Sequence, residues 1–414
     1  MKRVLNSIVW LFLFSAMISV VSCDKEEEIA FALSSLKSGT IDLNGATAAT
    51  GVPTDAVITA TFSKNLDVTG LTVTLKQGYD NAMLDVEIDV VGSTVTLTPD
   101  PMASGTSYTL SVSGVKSVDG ETLPALERSF TTVGSFVPTG LFAYWPFDGN
   151  PNDAVGTFDP TSNQIVSITY GADRKGGAGG AAVFNGDNSI IEISNGSQLI
   201  NSTHFTVSFW VKTDPTHDAG HFVFGLGAFN GIQYEINGGY AESKFAIQYD
   251  TQDALGADKN VAEDMWFATL ATDNTTTGWQ GCTYAKSLTA EQLIAKLKDN
   301  WLHIVYTYNG TSKEGTLYYD GVKMKSFDFD LWPEGDDKTK VTGIEYAGVE
   351  PDVKNELAFG FIQSRGGTMW DAEGWGGYDF AGANHFKGSL DEFRIFHKAL
   401  SAQEVTLLYN SEKQ

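Results

Sequence analysis

The stretch Trp370-Asp371-Ala372-Glu373-Gly374-Trp375-Gly376-Gly377-Tyr378-Asp379-Phe380 sets aromatic rings, carboxylates and glycines side by side. Flat apolar rings stack on the C–H faces of sugars, and carboxylates hydrogen-bond to sugar hydroxyls. Glycines let a ligand or another backbone come close. The candidate ligand-binding residues are therefore Trp370, Asp371, Glu373, Trp375 and Tyr378. The competing expectation is that these rings fold back as a mini-core under a long loop; Trp266, Trp279 and Tyr284 face the same choice. Glycoside hydrolysis needs two carboxylates held at a fixed separation. Asp371 and Glu373 would share one face of a strand, but Gly374 and its neighbouring glycines indicate a loop, so no catalytic residue is assigned. His217 and His221 have the i, i+4 spacing of a zinc-binding helix. Asp218 stands where that motif needs Glu, and Pro215 and Gly220 spoil the helix, which leaves two loop histidines. His204, His303, His385 and His397 have no partner spacing and are expected to be structural.

At the N-terminus, Lys2 and Arg3 precede an apolar run from Ile8 to Val21, short for a membrane span. It ends in Val20-Val21-Ser22-Cys23, which resembles the bacterial lipobox and implies cleavage after residue 22 and lipidation of Cys23. The following Asp24-Lys25-Glu26-Glu27-Glu28 resembles the surface-export tag of Bacteroidetes lipoproteins; a plain solvated tether is the alternative. The resemblance implies an outer-membrane protein facing the cell exterior. Once Cys23 is acylated, Cys282 has no intramolecular partner, and stability must come from burial. Without Lys2 and Arg3, the 27 Lys and Arg fall to 25 against 51 Asp and Glu, a formal charge of −26. Such a charge excludes nucleic acid and anionic membrane surfaces as partners, so the membrane contact is the lipid alone.

Between residues 36 and 134, short runs alternate apolar and polar residues as half-buried strands do. Ala56-Val57-Ile58-Thr59-Ala60-Thr61-Phe62 and Ser107-Tyr108-Thr109-Leu110-Ser111-Val112 are two of them. Together with Asn65-Leu66-Asp67 and the closing Phe130-Thr131-Thr132, they resemble the bacterial Ig-like domains of surface proteins, which implies a β-sandwich spacer. Glu87-Ile88-Asp89 is similar to the carboxylate cluster of family 16 glucanases, but no third Glu follows, so it is expected to be an ordinary strand with a polar face.

A linker over 135–140 leads into an aromatic-rich region over 141–410. Strands are expected at Phe205-Thr206-Val207-Ser208-Phe209-Trp210-Val211, Lys244-Phe245-Ala246-Ile247-Gln248-Tyr249, Trp301 to Tyr308 and Gly315 to Tyr319, with a hairpin turn at Asp320-Gly321. Thr289 with Gln292, and Ser401 with Glu404, are capping boxes that open two short helices. The ordered set Phe142-Ala143-Tyr144-Trp145-Pro146-Phe147-Asp148-Gly149-Asn150, Ala182-Val183-Phe184-Asn185-Gly186, Trp301-Leu302-His303-Ile304-Val305 and Gly388-Ser389-Leu390-Asp391-Glu392-Phe393-Arg394-Ile395-Phe396 resembles laminin-G-like domains of the concanavalin A-like lectin/glucanase superfamily. The fold class that follows is all-β: an Ig-like β-sandwich, then a concanavalin A-like jelly roll. Length beyond such a module falls in 213–240, 250–300 and 328–387, expected as functional loops.

Asp148-Gly149-Asn150-Pro151-Asn152-Asp153 clusters hard oxygen ligands, and the resemblance implies a structural ion near the paired termini. Calcium takes about six to eight oxygens. Asp148, Asn150 and Asp153, joined by Asp391 from the closing strand, are the candidate ligands, against an Asx-rich turn without metal. Together these features predict a surface-anchored lipoprotein that is not an enzyme and binds a glycan or glycoprotein through its carbohydrate-binding jelly roll. A protein-binding adhesion or scaffold subunit is the alternative, and a glycoside hydrolase the third.

Overall fold

The computed structural model describes residues 29–251, 261–268 and 281–413; Cys23, the acidic residues behind it and Trp279 lie outside them. The chain is nearly all β. The first sandwich packs two five-stranded sheets, one ordered 41–42, 33–38, 58–62, 94–99, 86–91 and the other 49–52, 126–132, 107–113, 72–77, 83–84. Ile58-Thr59-Ala60-Thr61-Phe62 shows the physical reason: Ile58, Ala60 and Phe62 are buried while the threonines between them are half-buried. Its core gathers Leu36, Ile58, Leu75, Leu97, Tyr108 and Phe130, and reaches back to Phe31, five residues before the expected start at 36. Glu87 and Asp89 lie exposed on the Val86–Val91 strand at the edge of the first sheet.

Phe136 of the linker is buried against Val305, Leu400, Val405 and Leu408 and meets the ring of Tyr79 edge-on at 5.3 Å. Beyond it, two large antiparallel sheets form the second sandwich. The nine-stranded sheet runs 169–171, 181–185, 387–396, 204–213, 302–309, 314–319, 322–328, 282–285, with 141–145 also paired to 387–396. The eight-stranded sheet runs 165–166, 190–194, 356–359, 221–226, 232–236, 242–251, 261–268, with 341–344 paired to 242–251. Between them lies an aromatic core that includes Trp145, Phe209, Phe224, Phe245, Phe359 and Phe393. Tyrosine hydroxyls in it pair across the sheets, Tyr249 with Tyr306 at 2.5 Å and Tyr234 with Tyr319 at 3.3 Å, because an unpaired buried hydroxyl is costly. Asp320 and Gly321 both have positive φ, as the tight hairpin requires.

The long stretches are not loops throughout. His221–Leu226 and Ile232–Ile236 form a hairpin inside 213–240, and the second and third stretches also supply strands. The expected helices are present over Ala290–Leu297 and Ala402–Glu412, each with its capping box closed.

The helix Ala402–Glu412 covers the outer face of the nine-stranded sheet over a buried charge network. Arg174 donates to Asp391 at 2.5 Å and to Glu392 at 3.2 Å, Arg394 pairs with Glu392 and Glu412, and Trp210 Nε1 donates to Glu412 at 2.7 Å. Burial among these carboxylates pushes Asp391 up to about 7, the Arg174 guanidinium opposing it. His303, fully buried, bonds Ser208 Oγ at 2.8 Å; burial and the Arg394 and Arg174 charges push it down to about 3. Its 3.9 Å approach to Glu412 is therefore not an ion pair at neutral pH.

Candidate functional site

Among the described residues, the other outer face is only half covered. Ile190, Phe222 and Ala358 point outward from the eight-stranded sheet and are sealed by Phe361, Ile362 and Ala383 of the segment over 360–386, with Met369, Trp370 and Tyr378 packed on them. This segment must lie close to the strands: a Cβ on Gly225 would meet the Ile362 carbonyl oxygen at 2.0 Å. Glu192, buried, holds its start. One carboxylate oxygen accepts from Ser364 Oγ at 2.8 Å and the Arg365 amide at 2.7 Å, the other from Arg365 Nη2 at 2.6 Å and Nε at 3.1 Å. Ser364 Oγ also contacts Glu356, so two carboxylates share one hydroxyl here, with Arg365 neutralising the buried one.

Where the covering ends, a cleft of about 300 Å³ opens between Trp370 and Trp375 on one side and the strands 232–236 and 242–251 on the other. Alternation dictates its floor: Tyr234 and Phe245 turn into the core, so Gln233, Glu235, Lys244 and Ala246 turn outward. Pairing sets Phe222 opposite Glu235, Glu235 opposite Lys244 and Lys244 opposite Trp266, one row across four strands. Lys244 Nζ lies 2.9 Å from Glu235 and 3.5 Å from Asp264, and 4.7 Å above the Trp266 ring. Burial raises the Glu235 carboxyl above its usual range, and the Lys244 charge pulls it back. Asn237 and Asn384 add amides to the rim.

The predicted site residues divide. Trp375 is 41 % exposed at the cleft, its ring 5.0 Å from Trp370 and 6.1 Å from Phe222. Trp370 is half-buried, its ring 6.3 Å from that of Phe229, and its Nε1 is buried with no partner among the described residues. Tyr378 belongs to the mini-core: it packs on Phe361 and His385, and its hydroxyl donates to the Asn188 carbonyl at 2.6 Å. Asp371 and Glu373 are exposed in tight turns and do not line the cleft. The glycines serve backbone packing, since a Cβ on Gly376 would sit 2.9 Å from the Trp370 Cβ. Trp266 is 36 % exposed at the far end of the row, and Tyr284 is exposed on the edge strand Cys282–Ala285 of the other sheet. Gln233, Glu235, Lys244 and Asp264 were not singled out from sequence. Their only signal is the outward half of an alternation in Gln233-Tyr234-Glu235-Ile236 and Lys244-Phe245-Ala246.

The four oxygen-bearing residues considered for calcium do not form a cage. Asp153 gives its carboxylate to the amides of Tyr144, Val155, Gly156 and Phe158 at 2.9–3.3 Å. Asn150 folds back on the Asp148 carbonyl and the Asn152 amide, the Asx turn of the alternative expectation. Asp391 faces the Arg174 guanidinium, which already supplies the positive charge. Among the described residues, no three His, Cys, Asp or Glu side chains are placed to hold a metal ion. His221 is not in a loop but opens a strand; it is buried against Tyr240 and 4.9 Å from His217, and burial pushes it down to about 3.

A second cleft, about 390 Å³, lies at one end of the first sandwich, lined by Phe31, Phe62, Val115 and Leu123; its polar lining residues Arg128 and Asn44 are tied to each other.

Residues 41–132 match the family described as a bacterial Ig-like domain, and residues 185–354 that described as the concanavalin A-like lectin/glucanases superfamily. No curated protein matches the chain. Among solved structures, it is similar to the binding domain of Paraclostridial mosquitocidal protein 1, at 16% identity and TM-score 0.40 over 66% of this chain and 52% of that one. It is similar to the botulinum neurotoxin serotype D ligand binding domain in complex with N-acetylneuraminic acid, at 12% identity and TM-score 0.40 over 66% and 51%. Domain 4 of an extracellular arabinanase from Geobacillus stearothermophilus, in complex with arabinotriose, matches at 19% identity and TM-score 0.36 over 65% of this chain and 98% of that domain. The chain spans about half the length of the mosquitocidal and neurotoxin chains it matches. By these matches, a bacterial Ig-like domain over 41–132 is followed by a region over 185–354 that matches the concanavalin A-like lectin/glucanases superfamily.

Proposed function

We propose that this chain is a lipid-anchored surface protein that binds glycan in the cleft beside Trp375 and does not cleave it. The observation that carries the reading is an indole left 41 % exposed directly beside outward-facing Gln233, Glu235, Asn237 and Asn384. An aromatic face next to converging hydrogen-bonding groups is what a sugar ring needs, since its C–H face is apolar and its edge is hydroxylated. Trp266 offers a second ring at the other end of the row.

Hydrolysis would require the scissile bond to sit between two carboxylates. Glu235 lines the cleft, and Asp264 faces it across the Lys244 ammonium, which lies within 3.5 Å of each. The space for a glycosidic oxygen is filled by a cation. The Ig-like domain would lift the jelly roll away from a membrane held by Cys23. The test is migration of the whole mature chain through native gels containing dissolved polysaccharides, together with a reducing-end assay on the same glycans. Retardation in at least one gel without new reducing ends is expected; unchanged migration in every gel overturns the reading.

A further inference from the structure

We infer that the cleft selects a neutral oligosaccharide and rejects acidic glycans; this rests on the glycan-binding reading above. The row Phe222, Glu235, Lys244, Trp266 crosses four adjacent strands, three inter-strand spacings or about 14 Å. Aromatic rings stand at both ends, Trp375 on Phe222 and Trp266 itself. Such a row exceeds one sugar ring and fits a short chain of them.

The charges facing the row decide its chemistry. Lys244 is its cation, and that ammonium is held between Glu235 at 2.9 Å and Asp264 at 3.5 Å with the Trp266 face beneath it. The trio therefore carries a net negative charge, and the Lys244 charge is already offset by two carboxylates before an incoming carboxylate or sulfate arrives. The segment from Gly366 to Phe386, which supplies Trp370 and Trp375, contains Asp371, Glu373 and Asp379 but no Lys or Arg. Arg365, just before it, is taken by Glu192, and Lys387, just after it, lies near Asp214 and Thr216. Lys325 donates to the Trp266 carbonyl at the far end, with Glu263 beside it. Around this the whole chain has a formal charge of −24, which repels anions before contact. The neutral hydroxyls of a sugar meet none of this opposition and find acceptors in Glu235, Gln233 and the Asn237 and Asn384 amides.

The experiment measures affinity of the whole mature chain, at low and at high salt, for galactomannan, arabinoxylan and N-acetyllactosamine, and for polygalacturonate, heparin and sialyl-N-acetyllactosamine. At least one neutral probe is expected to bind at least tenfold more tightly than every acidic one, with the gap narrowing as salt screens the cleft. The E235Q/D264N double variant should narrow the same ratio at low salt, whatever it does to absolute affinity. An acidic probe that binds most tightly, or a ratio unmoved by the double variant, overturns this inference while leaving glycan binding in place. Failure of all six probes to bind, in a chain that migrates normally in every polysaccharide gel, removes both.

Discussion

Replacing Trp375 with alanine separates a binding ring from a packing ring. The indole is 41 % exposed, and the rest of it contacts Trp370 at 5.0 Å and Phe222 at 6.1 Å. Truncating a fully buried Trp costs about 3–5 kcal/mol. With nearly half the ring already in water, Trp375→Ala should cost about 2 kcal/mol of folding stability. Loss of the stacking face should remove about 2 kcal/mol of binding, close to thirtyfold in Kd, as truncation of an aromatic anchor does. Trp370→Ala acts in the opposite proportion, because that ring lies half-buried over Met369 and Phe229 and holds the segment down. It should cost about 3 kcal/mol of stability and loosen the cleft wall. Tyr378→Phe removes only the bond to the Asn188 carbonyl, about 1 kcal/mol of stability, with affinity unchanged. Urea midpoints and Kd for one neutral polysaccharide, measured on all three variants, check this ordering. Wild-type affinity in Trp375→Ala, or a midpoint as low as that of Trp370→Ala, refutes the assignment of Trp375 as the stacking ring.

Arg365→Ala should destabilise by about 3 kcal/mol, because it leaves the Glu192 carboxylate buried without its cation, and Arg365→Ala with Glu192→Gln should recover part of the loss; equal urea midpoints for the two would show that the pair does not clamp the segment. Stability should fall as pH drops from 6.5 to 5: His221 and His303, held near 3, take up protons only on unfolding, which outweighs Asp391, held near 7 and already protonated when folded. His385 and His397, lowered chiefly by burial, act in the same direction, and a midpoint level across that window refutes the balance. Chelator should leave the melting temperature unchanged, since Asp153 and Asp391 are committed to amides and to Arg174; a clear drop would show an ion the geometry does not provide for. Cys23→Ser should move the protein from the detergent-soluble membrane fraction to the soluble one, and persistence at the membrane would refute the anchor.

What was legible in the sequence was what a single strand or turn determines by itself. Ile58-Thr59-Ala60-Thr61-Phe62 alternates because one face is core; Thr289 and Ser401 cap helices through their own third neighbours; Asp320-Gly321 turns because both residues tolerate positive φ. His221–Leu226 was hidden by the opposite cause. It is buried on both faces, inward on the core and outward under the 360–386 segment, so it shows no period of two, and a bulge at Phe222 and Phe224 breaks what remains. The ion pair of Asp391 was not legible because its partner, Arg174, stands 217 residues earlier, and a carboxylate that faces a guanidinium reads like one that faces a metal.

The candidate site lies between these cases. Its wall was visible as a composition, Trp370 to Phe380, but its floor consists of one or two outward residues from each of three strands, and only register brings Glu235, Lys244 and Trp266 into line. The same register explains why the site is there. On the nine-stranded sheet, charged residues are buried beneath a helix; on the eight-stranded sheet, Trp375 and Trp266 are left exposed beside polar groups. Burying charge is tolerable when every carboxylate finds a guanidinium, so the first arrangement is accounted for by stability alone. Leaving two indoles 36–41 % exposed gives up burial, and the polar row between them could have been apolar and covered, as the face is at Phe222 and, one strand further, at Ala358. The uncovered half of that face is therefore where the proposed ligand would complete the packing.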